Sequence, residues 1–226
     1  MGIVNVGSLA ATLDAVDEAF FFGHRLTKKD RTEAANWISS RQGLPGSYRG
    51  MFAPTASDFA GGITLFTGEK MGARAGTAHV LGEQACRALI LLGVREGAAA
   101  AALRRASGAM AAALGPARGW KGRYCCFKCT VALWRHLAVG GLDAPEKRLA
   151  IGMRYLKSLR TGDGRWHGFP FYYTVLSLTE MAMPSAQAEM RYAAPACERL
   201  IDRLRGRDRV SRRRLAVVQR VLERVS

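Results

Sequence analysis

The apolar residues of this chain recur mainly at helical spacing. Leu13, Val16 and Phe20 share one side of a segment from Leu9 to about Phe22, which Ser8 can cap. Similar segments follow along the chain, and none alternates apolar and polar residues over the length of a strand. The pattern predicts an all-α protein of about nine helices.

Local signals mark the ends of several predicted helices. Thr27 with Asp30, and the segment Asp143-Ala-Pro-Glu146, each predict a helix start closed by a capping box. Residues 43–76 are rich in glycine and proline and predict a long loop, which in a compact domain usually has a function. An alanine-rich helix should end near Leu114, and the other predicted helices begin near Thr77, Cys125, Tyr173, Ser185 and Ser211.

The length of the chain and the spacing of its cysteines predict a single domain with reduced thiols. The 226 residues suit one domain, and no apolar run reaches the roughly 18 residues of a membrane span. No secretory signal is visible at the N-terminus. Three of the five cysteines crowd at Cys125, Cys126 and Cys129, which is unlike a spaced disulfide framework. We therefore expect reduced thiols and a cytoplasmic location.

The charge is strongly positive and concentrates near the end of the chain. The formal net charge is +16, and residues 191–224 hold eleven arginines against four acids. Residues 184–226 are thus expected to form a basic helical pair within the single domain 1–226. Such charge attracts polyanions, or simply lines a solvated helix face. No zinc finger, helix-turn-helix or RNP pattern predicts sequence-specific binding of nucleic acid.

A repeated turn links the predicted helices. When the sequence is shifted by 118 positions, Ser40, Gly46 and Gly50 fall on Ser158, Gly164 and Gly168. The aromatic residues Tyr48 and Trp166 also coincide, and Trp120 marks a third copy 46 residues before Trp166. Repeats of this size indicate helical hairpins that stack and bury each other's faces.

These turns resemble those of a known superfamily. Arg41-Gln-Gly-Leu-Pro-Gly-Ser-Tyr48 is similar to the Gln-x-x-x-Gly-Ser-Trp turns of the α/α toroids, the terpenoid cyclases and protein prenyltransferases, and Gly162-Asp-Gly-Arg-Trp166 is a variant. The resemblance spans Thr27 to Met183. It implies an α/α toroid of helical hairpins around an apolar cavity. Full rings hold more hairpins, so it implies an incomplete barrel, either open or completed by a second copy or a partner subunit.

In a toroid, the starts of the inner helices converge at one end of the cavity. Exposed N–H groups at these starts favour anions, and Arg74, Arg123 and Arg165 precede them, so a diphosphate-bearing ligand is expected. Trp166, Phe171 and Tyr172 could line a pocket for a small apolar ligand, or seal the seams between hairpins. These six residues are the predicted substrate-binding set.

The catalytic candidates are His79, Glu83 and Tyr173. His79 and Glu83 are four residues apart on a predicted helix, so the carboxylate can orient the imidazole for acid–base work. The alternative is a packed histidine satisfied by its neighbour. Tyr173 stands where the zinc-ligand histidine of the prenyltransferases would lie. Their zinc-ligand aspartate and the Asp-x-Asp-Asp motif of the class II cyclases are both missing from this chain.

Cys126-x-x-Cys129 has the spacing of metal ligands, and the alternative is a pair of packing thiols. His136 is two turns away, so His167 or His79 suits better as a third ligand. Lanthionine cyclases share the toroid and a Cys, Cys, His zinc site. That resemblance implies the zinc ligand set Cys126, Cys129 and His167, although their Cys-His-Gly signature is absent.

These features suggest a function without deciding whether the protein is an enzyme. The first hypothesis is a prenyltransferase- or cyclase-like transferase or lyase that acts on an isoprenoid or peptide-like substrate with the help of a metal. The second is a non-catalytic binding or scaffold module on the same fold. The third is a binder of anionic surfaces through the basic C-terminal helices.

Overall fold

A computed structural model of the chain describes residues 2–204, 206 and 208–226, and this part of the chain is all-α. Each of the predicted helices is present, and one further short helix precedes Gly62. The helices of the described residues are α1 Leu9–Phe22, α2 Lys28–Ser40, α3 Ala56–Gly61, α4 Arg74–Leu91, α5 Gly97–Leu114, α6 Phe127–Ala138, α7 Pro145–Lys157, α8 Phe171–Thr179, α9 Pro184–Ile201 and α10 Arg209–Val225. No helix in the described residues is both long and apolar enough to span a bilayer.

The two predicted capping boxes have different outcomes. The Thr27 hydroxyl accepts from the backbone N–H of Asp30, and the Asp30 carboxylate accepts from that of Thr27, so this box is confirmed. The box at Asp143 is wrong, because Ala144 is the N-cap residue of α7 and makes no side-chain cap. The Asp143 carboxylate instead accepts two bonds from Arg148 Nη2, at 2.8 and 2.9 Å.

The predicted loop at residues 43–76 is more ordered than its composition indicates. It contains α3 and a two-stranded antiparallel hairpin, β1 Ile63–Thr64 with β2 Lys70–Met71. The prediction of one unbroken loop is therefore wrong. Asp58 explains part of the order, because its carboxylate caps α3 and also accepts from the Ser8 hydroxyl and the Leu9 N–H at the start of α1.

The repeated turns have matching backbone conformations. Gly46 and Gly164 both have φ +88°, and Gly50 and Gly168 have φ +72° and +74°. These left-handed conformations favour glycine because they penalise a Cβ atom. At Gly168 a Cβ would also lie 2.2 Å from the ring of Phe127. The repeat seen in the sequence thus corresponds to a repeated turn geometry.

The helices pack in two groups. α4 contacts α1 on one side and α6 on the other, α6 contacts α8, and α8 contacts α10. Ion pairs of Arg213 on α10 with Asp14 and Glu18 join α10 to α1. Helices α2, α5, α7 and α9 pack against members of this series and against one another. Helices α1, α4, α6, α8 and α10 are thus linked one after another, and ion pairs join the two ends of the series.

Four charged residues pair with one another between these helices, three of them buried and Glu180 partly buried, and we call them the arginine cluster: Asp17, Arg87, Arg135 and Glu180. Arg135 donates to Asp17 at 2.8 Å and to both oxygens of Glu180 at 2.8 and 2.7 Å. Arg87 bridges the same two carboxylates, with 2.7 Å to Glu180. Burial alone would raise the pKa of Asp17, but Arg135 and Arg87 outweigh burial and lower it. The two positive and two negative charges thus neutralise each other across α1, α4, α6 and the end of α8.

Candidate metal centre

Helices α4 and α6 bring a histidine and two cysteines together. His79 lies in the second turn of α4, Cys129 in the first turn of α6, and Cys125 in the turn before α6. One potential ligand atom from each of the three residues lies within 4.8 Å of the others. Together with Glu83 and His136, which contact them or each other, we call this group the histidine–cysteine cluster.

His79 is buried without a hydrogen bond. Its side chain is 1% exposed, and neither ring nitrogen has a hydrogen-bond partner. The ring stacks on Tyr48 with 4.4 Å between ring centroids, and meets the edge of Tyr124 at 4.7 Å. Burial lowers the pKa of His79, so the imidazole is neutral near pH 7, the form that binds metal ions. Buried polar atoms without partners are uncommon, and a bound ion is one of the explanations for them.

Glu83 connects the two histidines of the cluster. Its Oε2 is 2.6 Å from Nδ1 of His136, and its Oε1 is 3.8 Å from Nε2 of His79. All three side chains are buried, since none is more than 1% exposed. Glu83 is therefore held in place by His136 on α6, with its second oxygen directed toward His79 and without a partner.

The backbone is strained on both sides of His79. Arg49 and Cys125 have φ +49° and +50°, in the left-handed region that non-glycine residues rarely adopt. Each follows one of the tyrosines that contact His79, and the hydroxyl groups of Tyr48 and Tyr124 are 2.5 Å apart. Strain of this kind is concentrated at functional sites, where surrounding contacts hold it in place.

Cys126 lies beside the group of three ligand atoms. It is the N-cap residue of α6, where its sulfur accepts from the N–H of Cys129 at 3.4 Å. The two sulfur atoms are 3.3 Å apart, and this contact lowers the pKa of Cys126 to about 5 and raises that of Cys129. Cys126 is exposed to solvent, whereas Cys129 is buried.

The ligand atoms that the structure brings together differ from the predicted zinc set. Cys129 belongs to both sets, His79 is the alternative named beside His167 as the third ligand, and Cys125 stands where Cys126 was expected. His167 is exposed in the turn before α8, where its backbone N–H donates to Leu159. His79 and Glu83 lie close together as the helical spacing predicts, while His136, the partner of Glu83, was passed over.

Most of the aromatic residues predicted as site residues pack between helices. Tyr173 is fully buried, its hydroxyl accepts from Gln84 at 3.2 Å, and its ring lies under Arg135. Trp166 is buried and donates to Glu189 at 3.0 Å, and it stacks on Phe171. Tyr172 is half-buried under Arg214. Tyr173 thus touches the arginine cluster, and Trp166 seals the contact of its turn with α9.

The three predicted anion-binding arginines are exposed. The guanidinium of Arg74 stacks on Phe59, and that of Arg165 stacks on Phe171. The backbone carbonyl of Arg123 accepts from the Trp120 indole at 3.0 Å. Their exposed side chains leave them accessible to a charged ligand.

The larger surface cavities lie away from the cysteine end of this site. Two cavities of about 410 and 460 Å³ share Met181, Ala182, Met183 and Pro184 in their linings. The second also contacts Leu137, which follows His136 near the C-terminal end of α6, whereas Cys129 lies in the first turn of that helix. Cys129 and Leu137 are separated by about 12 Å of helix, and none of the five cluster residues lines either cavity.

Comparison of the chain with protein-family models, curated proteins and solved structures found no match. The resemblance to the α/α toroids therefore stays a prediction, and the function has to be argued from the cluster itself.

Proposed function

We propose that the protein is a zinc-dependent enzyme whose metal ion is held by His79, Cys125 and Cys129. The observation that carries the proposal is the buried His79, without a hydrogen-bond partner, within 4.8 Å of two cysteine sulfurs. Thiolates and imidazole together favour zinc over magnesium or calcium, which prefer oxygen ligands. The residues present thus suit zinc in kind and in position.

Glu83 and His136 support this assignment. Metal-bound histidines usually donate their second ring nitrogen to a carboxylate, which fixes the tautomer and strengthens the ligand. Nε2 of His79 faces Glu83 at 3.8 Å, so a small approach would make that bond and leave Nδ1 for the metal. The 2.6 Å contact with His136 holds Glu83 in the required orientation.

Three protein ligands leave one position for a substrate or solvent, as in catalytic zinc sites. Zinc bound there supplies a Lewis acid that lowers the pKa of a coordinated thiol or water. The rings of Tyr48 and Tyr124 contact that of His79, their hydroxyls pair with each other, and the guanidinium of Arg49 donates to Tyr48 at 3.3 Å. These groups suit an anionic or thiol-bearing substrate.

The resemblance noted in the sequence extends the proposal to a reaction class. We assign the chain to transferases or cyclases of an incomplete α/α toroid, acting on an isoprenoid or peptide-like substrate. The series of contacts from α1 through α4, α6 and α8 to α10 supports that arrangement. Exposed Arg74, Arg123 and Arg165 would attract a diphosphate to the same end of the helices.

Cobalt(II) titration tests the metal assignment, because cobalt replaces zinc and sulfur ligation gives it a strong charge-transfer absorption. We expect one equivalent of cobalt per reduced chain, displaced by zinc, and a changed spectrum when a small thiol is added to the open position. Cys125→Ser with Cys129→Ser should abolish the absorption, and Cys86→Ser with Cys197→Ser is the matched control. Absence of sulfur-ligated cobalt in the wild type would overturn the proposal.

A second candidate is the non-catalytic scaffold. It is favoured by the arginine cluster and Tyr173, which fill the interior where the resemblance implies an apolar cavity. Binding of anionic surfaces through the C-terminal helices gains less support, because Arg209, Arg213, Arg214 and Arg220 bond to groups on α1 and the β-hairpin. Cobalt binding without any effect of added thiol would favour the scaffold.

A further inference from the structure

We propose that Cys126 and Cys129 form a reversible disulfide, and that closing this disulfide takes Cys129 away from the metal ligands. The inference rests on the proposed function for its second part only, since the disulfide itself requires no metal. It assigns a role to Cys126, which the ligand set leaves out.

The geometry favours this pair over the other cysteines. The two sulfur atoms are 3.3 Å apart, and a disulfide bond measures about 2.05 Å, so they need to approach by little more than 1 Å. Both sit at the start of α6, with Cys126 at the N-cap and Cys129 one turn later. The N–H of Cys129 already directs the Cys126 sulfur toward it.

Cys126 and Cys129 differ in solvent exposure, and they therefore take different roles in the proposed reaction. Cys126 is exposed, so a disulfide dissolved in the solvent can reach it, whereas Cys129 is buried and can react only with a neighbour. Cys126 and Cys129 thus have the arrangement of an attacking and a resolving cysteine. Cys86 and Cys197 are both buried, and Cys125, which is also exposed, has its sulfur within 4.8 Å of that of Cys129, against 3.3 Å for Cys126.

The reaction is an exchange with a low-molecular-weight disulfide, which is the oxidant. The Cys126 thiolate attacks one sulfur of that disulfide, its S–S bond breaks, and one thiolate leaves. Cys129 then loses its proton to solvent and attacks the Cys126 sulfur of the mixed disulfide, and the second thiolate leaves. The two cysteines together give up two electrons and two protons, and the small disulfide becomes two thiols.

The disulfide and the metal compete for one atom. Cys129 is a member of the metal group, and a sulfur in a disulfide no longer offers a thiolate to zinc. Oxidation therefore leaves His79 and Cys125 alone, which is too few ligands for tight zinc binding. The protein would therefore lose its metal when the surrounding thiols become oxidised.

Peptide mapping of metal-free protein treated with oxidised glutathione tests the first part. Lys128 lies between the two cysteines, so trypsin separates residues 124–128 from residues 129–135 unless a disulfide joins them. We expect this joined product, with fragmentation between Cys125 and Cys126 placing the bond on Cys126. Cys125→Ser should give the same product. No joined product, or a bond on Cys125, would overturn the inference.

Zinc release from the reduced, zinc-loaded protein tests the second part. Oxidised glutathione should release zinc from the wild type, and Cys126→Ser, which keeps the proposed ligands, should release it about tenfold more slowly. Equal release rates would overturn the control by Cys126. If the disulfide forms but the reduced protein binds no zinc, the proposed function and the redox control fail and the disulfide assignment stands.

Discussion

Two largely buried polar clusters lie on the same pair of helices, and they differ in how far their charges and donors are matched. Arg87 and Arg135 of the arginine cluster come from α4 and α6, as do His79 and Cys129 of the histidine–cysteine cluster. In the arginine cluster each carboxylate bonds to both guanidinium groups, although Nε of Arg87 is buried there without a partner. In the histidine–cysteine cluster both nitrogens of His79, one oxygen of Glu83 and one nitrogen of His136 have no partner.

This difference in pairing indicates a structural role for the arginine cluster and a ligand-binding role for the histidine–cysteine cluster. A buried polar group without a partner costs free energy that folding alone has no reason to incur. A matched set of ion pairs, in contrast, is explained by the fold it holds together. We therefore propose that the arginine cluster serves stability and the histidine–cysteine cluster metal binding, and the following variants should affect one property and spare the other.

The largest effect is expected for Arg135→Ala in the arginine cluster. Removing a buried arginine that bonds to Asp17 and Glu180 leaves two carboxylates undercompensated and should lower the free energy of unfolding by about 3–5 kcal/mol. Urea unfolding of the metal-free protein measures this change. Arg104→Ala, at an exposed position on α5, is the control and should leave the stability unchanged. A loss for Arg135→Ala as small as that of the control would contradict the structural role.

A smaller effect, on metal affinity, is expected for Glu83→Gln. The amide keeps the shape but loses the charge that would orient His79, so zinc affinity should fall about 10–100-fold. Competition with a chromophoric chelator measures the affinity. Glu33→Gln, an exposed carboxylate on α2, should leave it unchanged. If Glu83→Gln bound zinc as tightly as wild type, Glu83 would not support the ligand.

A third variant tests the arginine cluster through its pH dependence. The folded pKa of Asp17 lies below its ordinary value of 3.8, so the unfolded state takes up a proton more readily. The stability from Asp17 is therefore fully present above that ordinary value and is lost as the pH falls through the folded pKa. Urea unfolding between about pH 7 and pH 3 should show Asp17→Asn losing less stability with acid than wild type. Parallel pH profiles would indicate that Asp17 is not paired as described.

Secondary-structure elements that depend on residues close together in the chain could be predicted from the sequence. Apolar spacing located the helices, and the box formed by Thr27 and Asp30 depends only on residues three apart. The same signal failed at Asp143, because Arg148 competes for its carboxylate one turn into α7. The hairpin at residues 63–71 was missed because its strands have two residues each, too short for a periodic pattern.

The candidate site could be predicted only in part, since most of its contacts join distant residues. The helical spacing of His79 and Glu83 is local and placed them together correctly. The contact of Glu83 with His136 spans 53 positions between α4 and α6, and no spacing rule reveals it. Cys125 was not predicted as a ligand because Cys126, not Cys125, has the Cys-x-x-Cys spacing with Cys129. The positive φ of Cys125 cannot be recognised from the sequence.

Zinc stoichiometry of reduced single variants tests the central claim most directly, because the ligand set predicted from the sequence and the set proposed from the structure differ at two positions. We expect one zinc per chain for wild type, Cys126→Ser and His167→Ala, measured by metal analysis and native mass spectrometry. His79→Ala, Cys125→Ser and Cys129→Ser should each lose it, with circular dichroism confirming that they remain folded. Zinc lost from Cys126→Ser and His167→Ala but retained by His79→Ala and Cys125→Ser, or no zinc in the wild type, would contradict the assignment.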